Sequence, residues 1–152
     1  MKKIIFALIL VLSASSPAFA DWELDLKNLS ASLNVTASDR DGEAEVASAL
    51  SIEFNMDKDL IIKKKEQTGL TYGDIAVALS IARQTNKDVN VVISDHKKYG
   101  RAWGKVAKAH CIRTDDLVHS VGKVHEKAKG KGRHKDKGAE RGKGQGKGKK
   151  KE

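Results

Sequence analysis

The densest run of chemistry-bearing side chains lies at the C-terminus. Residues 121–152 hold 13 Lys or Arg against Glu126, Asp136, Glu140 and Glu152. Lysines spaced by glycine form a flexible, purely electrostatic ligand for polyanions. The candidate polyanion contacts are Lys127, Lys129, Lys131, Arg133, Lys135, Lys137, Arg141, Lys143, Lys147, Lys149, Lys150 and Lys151. The segment has no aromatic residue on which bases could stack. It has no apolar face for a membrane-surface helix. Its Gly-Lys pairs lack the Ser or Thr of a phosphate loop, and no strand precedes them. The competing reading is a solubilising segment without a partner.

Other reactive side chains form no comparable pattern. His119 and His125 are six residues apart, so they do not share a helix face as i, i+4 metal ligands would. His110 and Cys111 are adjacent and diverge from a helix end, so no metal or cofactor is expected. Ser80, Ser94 and Ser120 sit in no nucleophile elbow. The carboxylates of Asp57, Asp59, Asp74, Asp95, Asp115 and Asp116 mostly read as helix-start residues, and no pair is marked for acid–base work. No catalytic residue is assigned and an enzyme is not expected. Cys111 is the single cysteine, which excludes an internal disulfide. It reads as a small buried hydrophobe or as a thiol for intermolecular pairing.

The chain begins with the pattern of a secretory leader. Lys2 and Lys3 precede an apolar run over residues 4–12, and Ala18-Phe19-Ala20 forms a small-x-small cleavage site. The apolar run is shorter than the roughly 20 residues a membrane span requires. The expected working protein is residues 21–152, periplasmic or extracellular, with no transmembrane segment. The formal charge of the whole chain is +9, but residues 21–120 sum to about −2, so the basic character belongs to the C-terminal segment.

The elements that must carry these groups follow from periodicity. Residues 22–54 alternate: Leu29, Ala31, Leu33, Val35 and Ala37 share one parity. Ala44, Val46, Ser48, Leu50, Ile52 and Phe54 share another after Asp39-Arg40-Asp41-Gly42. Period two with a D-x-D-G break predicts a β-hairpin over residues 21–56. A helix across residues 42–50 competes, because Ala and Glu favour helix.

From Asp57 the period becomes helical. Helices are predicted over 57–68, after Thr71 to about Asn86, over 87–98, over 102–110 and from Thr114. Gly69 is a left-handed terminator, and Thr71 with Asp74 reads as a capping-box pair. The predicted core is Tyr72, Ile75, Leu79, Val92, Trp103, Val106, Leu117 and Val121, with Trp103 at its centre. The domain layout is leader 1–20, hairpin 21–56, helical domain 57–126 and disordered basic tail 127–152. The expected fold class is α+β.

Leu70-Thr71-Tyr72-Gly73-Asp74, and then Gly100-Arg101-Ala102-Trp103-Gly104-Lys105-Val106-Ala107-Lys108, resemble motifs of small secreted bacterial proteins. Their pattern is G-L-S/T-x-G-D followed by G-x-G-W-G-x-I-A-K, often behind a β-like N-terminal region. The match covers about residues 69–112. Ala102 departs from the usual Gly, and Cys111 stands where Gly normally ends the helix. The resemblance implies secretion and a helical domain, and it supplies no catalytic residues.

Together these readings predict an exported, non-enzymatic protein that binds anionic envelope polymers through its basic tail. Lipopolysaccharide, polysaccharide, phospholipid headgroups and DNA all have the required charge. A protein-interaction module using the hairpin edge or the Trp103 helix is the alternative. A third reading, a helix-turn-helix DNA reader around Val106 to Leu117, is opposed by Asp115 and Asp116 in its recognition helix. An ordinary αα corner explains the same spacing.

Overall fold

The computed structural model describes residues 21–135. Residues 1–20, over which a leader was expected, and the segment 136–152 lie outside the described residues. Among those described, the chain forms seven helices and no strand: α1 (Asp21–Thr36), α2 (Arg40–Phe54), α3 (Lys58–Thr68), α4 (Tyr72–Thr85), α5 (Val89–Lys98), α6 (Trp103–Ala109) and α7 (Thr114–Lys135). The fold is all-α, and the expected α+β class with its hairpin over 21–56 is corrected.

The error has a physical cause. Residues 21–56 satisfy a helical stripe as well as an alternating one. On α1, Leu26 and Leu33 are buried, with Trp22 and Leu29 packed beside them. That is the i, i+4, i+7, i+11 spacing of one helix face. On α2 the buried set is Gly42, Val46, Ala47, Ala49 and Leu50. Part of the supposed inward parity faces water instead: Val35 is 73% exposed and Ile52 57%.

The Asp39-Arg40-Asp41-Gly42 break is a helix start, not a hairpin turn. The Asp39 carboxylate accepts from the Gly42 N–H at 2.7 Å, as an N-cap does. Gly42 is required by crowding, since a Cβ there would lie 1.7 Å from the Thr36 carbonyl oxygen. Helices also satisfy their own backbone groups, whereas an isolated two-stranded hairpin is marginal in water.

The later elements keep their local signals. Asp57 caps α3, and Gly69 ends it at φ 65°. Thr71 and Asp74 form the reciprocal capping box of α4. Asn86 closes α4 in the left-handed region at φ 52°.

Helix α4 is the hub. Every residue from Tyr72 to Ala82 except Asp74 is buried, and α1, α2, α5 and α7 pack around it. A helix buried on all sides carries few charged groups, as Ala, Val, Ile and Leu here allow. Gly73 permits the closest crossing. A Cβ at this position would meet Ser30 Oγ at 2.0 Å and the Ser30 carbonyl oxygen at 2.5 Å. The Gly73 N–H donates to Asn34 Oδ1 at 2.9 Å across the same contact.

Helix α7 is the longest element at 22 residues. Leu117, Val121, Val124 and Ala128 line its buried face at the i, i+4, i+7, i+11 spacing of a single stripe. Order was expected to end at Lys127, but the helix runs on to Lys135. Ala128 explains the extension: it is fully buried, so the apolar stripe continues one turn past the point where the composition turns basic.

Candidate functional site

The C-terminal cations divide into four groups by position. Lys127 is drawn into the fold. Its ammonium donates to Glu53 Oε2, and Arg83 donates to Glu53 Oε1 at 3.1 Å from the other side. Lys129 lies exposed on α7. Lys131, Arg133 and Lys135 occupy its last turns. Lys137, Arg141, Lys143, Lys147, Lys149, Lys150 and Lys151 lie outside the described residues. Lys127 therefore serves as an anchor, with Lys123 before it and Lys129 after it exposed on α7.

The anchor belongs to a polar network that ties α2, α4 and α7 together. Arg83 stacks over the Phe54 ring at 4.8 Å and donates to Ser120 Oγ at 2.7 Å. Ser120 shares a hydrogen bond of 2.9 Å with Ser80, whose hydroxyl also donates to the Ala76 carbonyl. Burial alone pushes the Glu53 carboxyl up, but Lys127 and Arg83 outweigh it and hold the group below the ordinary carboxylate range. Sequence reasoning passed over Glu53 and Arg83, which are 30 residues apart and are joined only by the α2–α4 packing that the hairpin reading excluded.

A second cluster surrounds Trp103. The indole N–H donates to Asp74 Oδ1 at 2.8 Å, and the ring stacks on His96 with centroids 3.7 Å apart and planes 10° from parallel. Trp103 is half-buried and packs against the rim of the core, not at the centre expected for it. Tyr72, Ile75, Leu79, Val92, Val106, Leu117 and Val121 are buried in the core. Asp74 thus closes the α4 capping box with Oδ2 and holds α6 with Oδ1. His96 is buried with neither ring nitrogen hydrogen-bonded. Burial depresses its pKa, while Asp74 opposes the shift and Arg101 acts in both directions, its backbone raising the value and its charge lowering it.

Two further groupings involve titratable side chains. Glu43 accepts from Lys65 at 2.9 Å and from the Tyr72 hydroxyl at 3.0 Å, bonds that lower its carboxyl pKa. Burial, reinforced by Glu43, pushes the Tyr72 phenol up. His110 bridges Asp95 Oδ2 at 2.8 Å and Lys87 at 3.0 Å. Lys87 can only donate, so His110 Nδ1 accepts and Nε2–H donates to Asp95.

Cys111 is exposed and left-handed at φ 51°, so it is a corner residue on the surface and not a buried hydrophobe. It borders an open groove of about 710 Å³ that Trp22, Ala107 and Ile112 also line. Among the described residues no group of three His, Cys, Asp or Glu is placed to hold a metal. No described helix is long and apolar enough to cross a membrane. In the first turn of α7, Asp115 and Asp116 are exposed, where phosphates would be repelled.

No protein-family model, curated protein or solved structure matches the chain.

Proposed function

We propose that this is an exported, non-enzymatic protein that binds anionic envelope polymers electrostatically through its cationic C-terminal segment. The observation that carries the reading is the segregation of charge. Residues 121–152 hold 13 of the chain's 29 Lys and Arg and only four of its 20 Asp and Glu. Such a segment attracts any dense anion and reads no sequence. The arrangement of α7 supports the reading. Its apolar stripe and the Lys127–Glu53 pair fix the helix to the body, and the exposed Lys129 lies just beyond that anchor. Export rests on the leader pattern in residues 1–20.

The test is a truncation after Lys135, which leaves Ala128 and Lys127 in place and keeps α7 whole. Duplex DNA and anionic vesicles serve as polyanion probes. The complete chain is expected to bind both, with affinity falling steeply between low and physiological salt, and the truncated chain is expected to bind far more weakly. Equal, salt-insensitive binding by the two would refute the assignment and favour the protein-interaction alternative. Intact mass of the secreted fraction checks cleavage after Ala20.

A further inference from the structure

An open groove separates two rims of opposite charge on the folded body. Its volume is about 710 Å³, and it runs between the start of α1, helix α6 and the corner that leads into α7. Trp22, Ala107 and Ile112 give it an apolar lining, and Cys111 stands exposed on its lip.

Helix α6 supplies the basic rim. Lys105 and Lys108 line the groove, and at i, i+3 they share one face of the helix. The start of α1 and the first turn of α7 supply the acidic rim. Glu23 lines the groove itself, and Asp21, Asp25 and Asp115 line an adjoining depression that shares Trp22 and Thr114 with it. Glu23 closes the rim at the first turn of α6, where a Cβ on Gly104 would lie 1.5 Å from its Oε1. All six charged side chains are exposed, and none makes a salt bridge among the described residues.

The mixed sign decides what can cover the groove. A polyanion drawn to Lys105 and Lys108 would meet four carboxylates beside them, and a polycation drawn to the carboxylates would meet the two lysines. A surface that carries an acidic rim, an apolar strip and a basic rim satisfies both sides. The same face of a second copy is such a surface. A twofold axis through the strip lays each acidic rim on the other copy's basic rim and brings the apolar linings together. An apolar centre with an aromatic residue inside a polar border is also the anatomy of a protein interface.

We propose that the α1–α6 groove is the docking face of a symmetric dimer, with Glu23 and Asp25 of each copy against Lys105 and Lys108 of the other, and Cys111 covered by the contact. The dimer is independent of the polyanion reading. Helix α7 starts beside the groove at Thr114, and Lys129 lies farther along it by about 22 Å at 1.5 Å per residue.

Sedimentation equilibrium of the complete chain, free of nucleic acid and under reducing conditions, tests the proposal from about 1 μM to 1 mM, the span of weak association. Two charge-reversed variants accompany the parent: Glu23→Lys with Asp25→Lys, and Lys105→Glu with Lys108→Glu. The parent is expected to pass from monomer to dimer. Each variant alone sets like charges against each other in both halves of the interface, which should raise the dissociation constant by about 100-fold or more. An equal mixture of the two variants restores opposite charges in both halves and should recover the dimer, which also shows that both are folded. The rate of Cys111 alkylation by a maleimide should fall as the parent dimerises and stay constant in either variant alone.

A parent that is monomeric throughout would overturn the proposal. So would variants that dimerise as the parent does, or a mixture that stays monomeric. Dimerisation without slower alkylation of Cys111 would place the contact on another face and overturn it as well. Both variants retain residues 127–152, so their binding to duplex DNA reports on the C-terminal reading separately.

Discussion

Replacing Gly73 by Ala tests the helical assignment of residues 21–36 more sharply than any other single change. The added Cβ would sit 2.7 Å from Ser30 Cα and 2.5 Å from its carbonyl oxygen. Both are backbone atoms, so rotating a side chain does not relieve the clash, and α1 must move away from α4. Overpacking of this kind costs about 1–3 kcal/mol. The Gly73–Asn34 hydrogen bond would weaken, adding up to about 1 kcal/mol. Alanine returns up to about 1 kcal/mol of helix propensity. The net expectation is a loss of about 1–3 kcal/mol, read as a lower urea midpoint with an unchanged slope. Gly104→Ala is the control. Its Cβ would meet only the Glu23 carboxylate, at 1.5 Å, and that long exposed side chain can swing aside. Gly104→Ala should be neutral or slightly stabilising. Gly73→Ala as stable as the parent would mean that α1 does not cross α4 at this point.

The titratable clusters yield further predictions. The neutral forms of His96 and His125 are favoured in the fold, by burial first in each case. Their contribution is complete above the unfolded histidine pKa of about 6.5. It is lost as pH falls from there toward the depressed folded values, at up to about 1.4 kcal/mol per pH unit for each histidine. His96→Phe should flatten this acid limb in denaturation measured between pH 7 and 5, and an unchanged limb would count against the burial of His96. Glu53 has the opposite dependence, because its depressed carboxyl stabilises the fold above the unfolded pKa and loses that effect as pH falls through the folded value. Glu53→Gln leaves Arg83 and Lys127 without their anion and should cost about 1–3 kcal/mol at pH 7, discounted for the partial exposure of both cations. Thermal melts at pH 7 and pH 4 should show the variant and parent converging in acid. Asp74→Ala removes the Asp74 half of the α4 capping box and the acceptor for the Trp103 indole together. The Thr71 cap itself remains, so about 1–2 kcal/mol is expected from the lost hydrogen bonds, along with a red shift in the Trp103 fluorescence measured in a Trp22→Phe background.

What the sequence made legible was decided by the range of each signal. Caps and stops act over three or four residues, so Asp57, Gly69, Thr71 with Asp74, and Asn86 could be read directly. The amphipathic stripe Val89, Val92, Ile93 and His96 was equally local. Residues 21–56 misled because short side chains such as Ala31, Ala37, Ala44 and Ser48 blur the difference between period two and period 3.6. Tertiary packing of Leu26, Leu33, Val46 and Leu50 onto α4 and α7 then selects the helix. Trp103 was placed at the centre on size alone, but its indole N–H needs a partner, and Asp74 supplies one at the rim. Glu53, Arg83 and Ser120 were missed because their meeting depends on three helices folding together. Lys127 looked like its neighbours in a basic run, and only the buried Ala128 beside it marks that turn as part of the body.

The salt dependence of polyanion binding, compared between the complete chain and a chain ending at Lys135, addresses the functional claim most directly. Residues 136–152 carry seven Lys or Arg. With duplex DNA, each phosphate they neutralise adds about 0.9 to the slope of log affinity against log salt. The complete chain should therefore show a slope steeper by several units, up to about six, and a much higher affinity at low salt. Parallel lines of equal height for the two proteins would contradict the account.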